Sequence, residues 1–70
     1  MALLRYRQAV DRDPRSADGW TGIGTALQQL ERYEEALKAY DRALELNPEH
    51  EMAKRWRETC LRHLGKGATS

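Results

Sequence analysis

Seventy residues carry twelve Lys or Arg and eleven Asp or Glu, so one third of the chain is charged while the formal net charge is only +1. The length allows one small domain, near the lower limit at which a core holds without staples. The charge balance excludes a bulk polyelectrolyte, and the single Cys60 excludes an intrachain disulfide framework of the secreted type.

The first predicted helix covers residues 2–12, with Leu3, Tyr6 and Val10 at helical spacing beside Ala2 and Ala9. Asp13-Pro14 ends it, because the residue before proline is pushed out of the helical region. The second helix is expected over 17–31. Ser16 serves as its N-cap, Asp18 stands in its first turn, and Trp20, Ile23, Leu27 and Leu30 share one face. Gly22 and Gly24 each cost this helix about 1 kcal/mol relative to Ala, which points to close approach of a neighbouring helix. The turn near Glu31-Arg32 contains no glycine. A third helix over 34–46 buries Ala36, Leu37, Tyr40, Ala43 and Leu44, opens on Glu34-Glu35 and stops at Asn47-Pro48. A fourth, over 51–64, presents a narrow apolar seam of Ala53, Trp56, Cys60 and Leu64 on a basic cylinder. Gly65 ends it, and 65–70 reads as a flexible tail.

The charges are unevenly placed. Residues 16–51 have a net charge of −5 and residues 52–70 a net charge of +4. The plain reading is a set of solvated helix faces; the sharper one is complementarity between neighbouring helices or between copies. The apolar run near Met1 is too short for a signal sequence or a membrane span, so the default compartment is cytoplasmic.

One regularity organises these elements. Ala2, Tyr6, Ala9 and Pro14 return as Ala36, Tyr40, Ala43 and Pro48, every step at an offset of 34. Such a period implies stacked supersecondary units, since one unit alone cannot bury its apolar face. Trp20, Ile23, Gly24, Leu27, Ala36, Tyr40, Ala43 and Pro48 resemble the tetratricopeptide pattern W-x2-L-G-x2-Y…A-x3-F…P, and Tyr33 sits where that family commonly has an aromatic residue. The resemblance implies an all-α solenoid of antiparallel helix-turn-helix units with about four helices. Residues 17–50 would be a complete repeat, 1–16 the second helix of a preceding one, and 51–64 a C-terminal capping helix. The last helix is expected to leave the register: a strict offset puts Lys54, Arg57 and Glu58 opposite Trp20, Ile23 and Gly24, whereas a shift of one residue brings Ala53 and Trp56 into apolar positions.

The resemblance further implies a non-catalytic scaffold that binds a peptide or helix of a partner protein in a concave groove. That groove would be lined by Asp18, Thr21, Gly22, Thr25, Gln28 and Gln29, and by Arg55, Thr59 and Arg62 of the last helix. Its arginines favour carboxylates. Thr21 and Thr25 occupy the positions where chaperone-binding members carry Lys and Asn, so a carboxylate clamp of that kind is not expected. A rival reading is homodimerisation through the uncovered face of the first helix, Leu3, Leu4, Tyr6 and Val10. A minor one is nucleic-acid contact through Lys54, Arg55, Arg57, Arg62 and Lys66. No cofactor or metal is expected: Cys60 and His63 stand three apart without the further ligands a structural zinc takes. No serine or cysteine has the base and orienting group that nucleophilic catalysis requires, so no enzymatic activity is expected.

Overall fold

The computed structural model describes residues 2–65, with the side chain of Ala2 left aside; most of the tail expected over 65–70 lies outside these residues. Four helices follow one another: α1 Ala2–Arg12, α2 Ala17–Gln29, α3 Tyr33–Leu46 and α4 Glu51–Leu64. Each packs on the next, and α2 also touches α4. The fold is all-helical, a short stretch of helical-repeat solenoid.

The connections show why the elements start and stop where they do. Asp13 and Asn47 each accept, through Oδ1, the backbone N–H two residues on, at 3.2 Å in both turns. Their carbonyls then accept from Ser16 and His50, both at 3.0 Å. Ser16 Oγ accepts the Gly19 N–H and caps α2; His50 Nδ1 accepts the Ala53 N–H and caps α4. The turn before α4 therefore repeats the turn before α2 bond for bond.

That repetition corrects the expected register shift. Ala53 and Cys60 are fully buried, and at the strict offset they match the buried Gly19 and Ala26. α4 stands on α3 as α2 stands on α1. The residues that look out of register, Lys54 and Glu58, match Trp20 and Gly24 on the other apolar face of α2, the face that packs on α3. α4 keeps the period and uses one of its two faces.

α2 is shorter than expected, ending at Gln29 with Leu30 as its C-cap. Glu31 then adopts φ 62°, and the Arg32 N–H reaches back to the Leu27 carbonyl while the Glu31 N–H bonds that of Gln28. This is a Schellman stop with glutamate in the left-handed position that glycine normally holds. α3 starts one residue earlier than expected, at Tyr33, without a side-chain cap.

The core joins Val10, Ile23, Leu27, Ala36, Ala39, Tyr40 and Cys60, with Leu3, Trp20, Tyr33, Leu37 and Trp56 packed against them. Two of the three glycines of α2 lie under tyrosine rings, Gly24 under Tyr40 and Gly22 under Tyr6, and Gly19 lies against Val10. Trp20 donates its indole N–H to the Pro14 carbonyl at 3.0 Å and lies under the Arg42 guanidinium, linking the first turn to α2 and α3.

Candidate partner-binding surface between α2 and α4

Since α4 keeps the period, the residues of α2 expected to face the groove have equivalents on α4. Asp18, Thr21, Gly22, Thr25, Gln28 and Gln29 correspond to Met52, Arg55, Trp56, Thr59, Arg62 and His63. The two strips run beside each other, tied at one end by His50 Nε2 against Asp18 Oδ1. With Nδ1 accepting the Ala53 N–H, the proton belongs on Nε2, which donates to the carboxylate.

The structure sorts the expected groove residues into three groups. Thr21 is buried, 6% exposed, and spends its hydroxyl on the Ala17 carbonyl at 2.8 Å; Gly22 is covered by Tyr6. Neither presents a group to a partner. Thr25, Gln28 and Gln29 border an open recess of about 280 Å³ together with Tyr33, Trp56 and His63. Arg55, Thr59 and Arg62 lie on the neighbouring polar face of α4 with Lys54, Glu51 and Glu58. The Thr25 and Thr59 hydroxyls each donate to the carbonyl one turn back, on Thr21 and Arg55.

Tyr33, Trp56 and His63 were not read as groove residues from the sequence. The strict offset carried the signal: it sets Trp56 opposite Gly22 and His63 opposite Gln29. The Tyr33 and His63 rings stack with centroids 4.7 Å apart and planes at 8°. Tyr40 donates its hydroxyl to Gln28 Oε1 at 2.9 Å, which fixes that amide at the recess and turns its NH2 outward. Burial pushes the Tyr40 hydroxyl above its ordinary range, and does the same to the Cys60 thiol, which donates to the Tyr33 carbonyl.

Electrostatically, the cations of the chain divide. Arg57 pairs with Asp41 at 2.6 Å, Arg42 with Glu45 at 3.0 Å and Arg32 with Glu35 at 3.6 Å. Arg5, Arg7, Arg12, Arg15 and Lys38 have no carboxylate partner among the described residues, and neither do Lys54, Arg55 and Arg62, which stand together on one face of α4. The expected nucleic-acid strip thereby loses Arg57 to an internal ion pair, and Lys66 lies outside the described residues.

The expected self-association face also divides. Val10 is buried against α2 and Leu3 packs on the core, whereas Leu4 is 58% and Tyr6 40% exposed. Among the described residues no three His, Cys, Asp or Glu side chains converge as metal ligands, and no helix is long and apolar enough to cross a membrane.

Paired helices and a repeating turn define a helical-repeat solenoid. Residues 17–50 match the tetratricopeptide repeat model, and through this repeat the chain belongs to that family. The chain is 30% identical over 61 residues to Superkiller protein 3 of Saccharomyces cerevisiae, and 31% identical over 65 residues to Superkiller protein 3 of Schizosaccharomyces pombe. The matches cover 87% and 93% of this chain but only 4% and 5% of those proteins. No solved structure matches the chain significantly. Tetratricopeptide domains generally mediate protein–protein interaction and are typically non-catalytic.

Proposed function

We propose that the chain is a protein-binding module whose α2–α4 face holds an acidic segment of a partner protein. The observation that carries this reading is the clustering on one face of α4 of three cations, Lys54, Arg55 and Arg62, that have no carboxylate partner among the described residues. Arg55 and Arg62 offer planar, bidentate donors for carboxylates. The Gln28 and Gln29 amides alongside them suit a peptide backbone.

The test is a titration with capped Asp-rich and Lys-rich peptides, followed by backbone amide chemical shifts. The Asp-rich peptide should move Gln29, Arg55, Thr59 and Arg62, and added salt should weaken it. Arg55→Gln with Arg62→Gln should abolish the response. Shifts confined to the opposite face of α3, or equal binding of both peptides, would refute the reading.

Homodimerisation through α1 is the second reading, favoured by the exposed Leu4 and Tyr6. Light scattering over a hundredfold concentration range tests it. A mass that stays at 8.1 kDa removes it; a dimer that Leu4→Ser with Tyr6→Ser dissociates supports it.

A further inference from the structure

The recess beside the basic strip offers a different chemistry from the strip itself. Its walls are the stacked Tyr33 and His63 rings and the half-buried Trp56 indole. No carboxylate or cation is among its lining residues. The Cys60 thiol on the Tyr33 carbonyl, at 3.0 Å, ties the first residue of α3 to α4, so two walls of the recess are held at a fixed separation. Donors stand at its rim. Gln28 has its Oε1 occupied by Tyr40 and its NH2 left over, and the Trp56 indole N–H finds no acceptor among the described residues. No buried side-chain nitrogen or oxygen there lacks a partner, so that N–H reaches solvent. Apolar walls with a few convergent donors form the ordinary chemistry of a side-chain pocket.

The surroundings choose the occupant. A cationic side chain would suit the rings, but on the face of α4 beside the recess Lys54, Arg55 and Arg62 outnumber Glu51 and Glu58, and the net positive charge disfavours it. The same repulsion disfavours the exposed α1 surface of a second copy, where Leu4 and Tyr6 are flanked by Arg5 and Arg7. An apolar side chain with acidic neighbours meets neither objection. Arg55 and Arg62 are separated by two helical turns, about 10 Å. In a fully extended strand side chains three residues apart point to opposite faces, whereas a polyproline II segment returns them to one face every three residues, about 9 Å along.

We infer that the Tyr33–Trp56–His63 recess is an anchor pocket. It takes one apolar side chain, of Leu or Phe size, from an acidic peptide in the polyproline II conformation whose carboxylates, three residues apart, lie on Arg55 and Arg62. The inference rests on the acidic-peptide reading above. Its mode is a backbone held by amide and indole donors, with one ring-lined socket selecting the sequence.

The probes are capped decapeptides of Gly and Ser with two Asp three residues apart and, between them, Leu, Phe or Ala. Each is titrated into the intact chain while the Trp56 indole N–H and the Gln28 side-chain amide are followed by NMR. The Leu and Phe peptides should shift both signals and bind at least tenfold more tightly than the Ala peptide. His63→Ala, at an exposed site, should reduce that advantage to near parity. Arg55→Gln with Arg62→Gln should weaken all three peptides alike. Equal affinities for Leu, Phe and Ala peptides, with Arg-dependence retained, would overturn the pocket and leave the acidic-peptide reading standing. Absence of binding by all three would overturn both.

Discussion

Alanine at Gly24 and alanine at Gly22 add the same methyl group to the same helix two residues apart, yet their effects should differ widely. Each gains about 1 kcal/mol of helix propensity. A Cβ at Gly24 would stand 2.7 Å from Tyr40 Cδ1 and 2.8 Å from Cζ. Tyr40 cannot give way: it is fully buried, and its hydroxyl is held by Gln28. Forcing a well-packed ring aside costs roughly 1–3 kcal/mol, and breaking its hydrogen bond costs about 1 kcal/mol more. The net loss for Gly24→Ala is therefore roughly 1–3 kcal/mol, after subtracting the propensity gain. A Cβ at Gly22 would also meet a ring, 2.7 Å from Tyr6 Cγ, but that ring is 40% exposed on α1 and can swing outward. Its lost contact roughly offsets the propensity gain, leaving Gly22→Ala within about 1 kcal/mol of the parent. Urea unfolding followed by circular dichroism measures both. For a domain of this size each kcal/mol moves Tm by roughly 4–8 °C, so the two variants should separate clearly. Equal losses, or a neutral Gly24→Ala, would refute the claim that the mobility of the covering ring decides the cost.

Three further outcomes follow from the geometry. Glu31→Gly should raise stability by up to about 1 kcal/mol in the same unfolding assay, since it relieves a non-glycine residue at φ 62°; a loss would mean the Glu31 side chain contributes more than its backbone strain costs. Ser16→Ala and His50→Ala should each lose about 1 kcal/mol through the equivalent caps of α2 and α4, with amide exchange rising first at Gly19 and Ala53 respectively. Alkaline pH should destabilise the fold, because burial raises Cys60 above its ordinary 9.0 and Tyr40 above its ordinary 10.0. The folded chain then holds protons that the unfolded chain has released, so this stability is intact below pH 9.0 and falls as pH rises through the folded values. In Cys60→Ala the onset should move from the thiol range to the phenol range, while an unchanged pH profile would remove Cys60 from the account.

The helices, their order and the repeat were legible in the chain because they depend on local physics. Pro14 and Pro48 forbid continuation, Ser16 supplies an acceptor to orphan amides, and the return of Ala and Tyr at an offset of 34 marks faces that must be buried together. Periodicity reports that a face is apolar; it does not report which neighbour covers it. That is why Val10 and Leu3 could be read as an open face although α2 covers them, and why Gly22 could be read as groove floor although Tyr6 lies across it. The register of α4 was misread for the same reason. A helix that packs on one side keeps only half of the repeat's apolar positions, and the polar half looks like a shift. The Glu31 stop had no sequence signal, since glutamate enters the left-handed region only when the bonds around it hold it there. The sequence by itself thus determined the four helices and the unit they repeat. Tertiary structure decided which side chains remain available: Thr21 turns inward, while Trp56 and His63 meet Tyr33 from another helix, because exposure belongs to the packed assembly and not to any one segment.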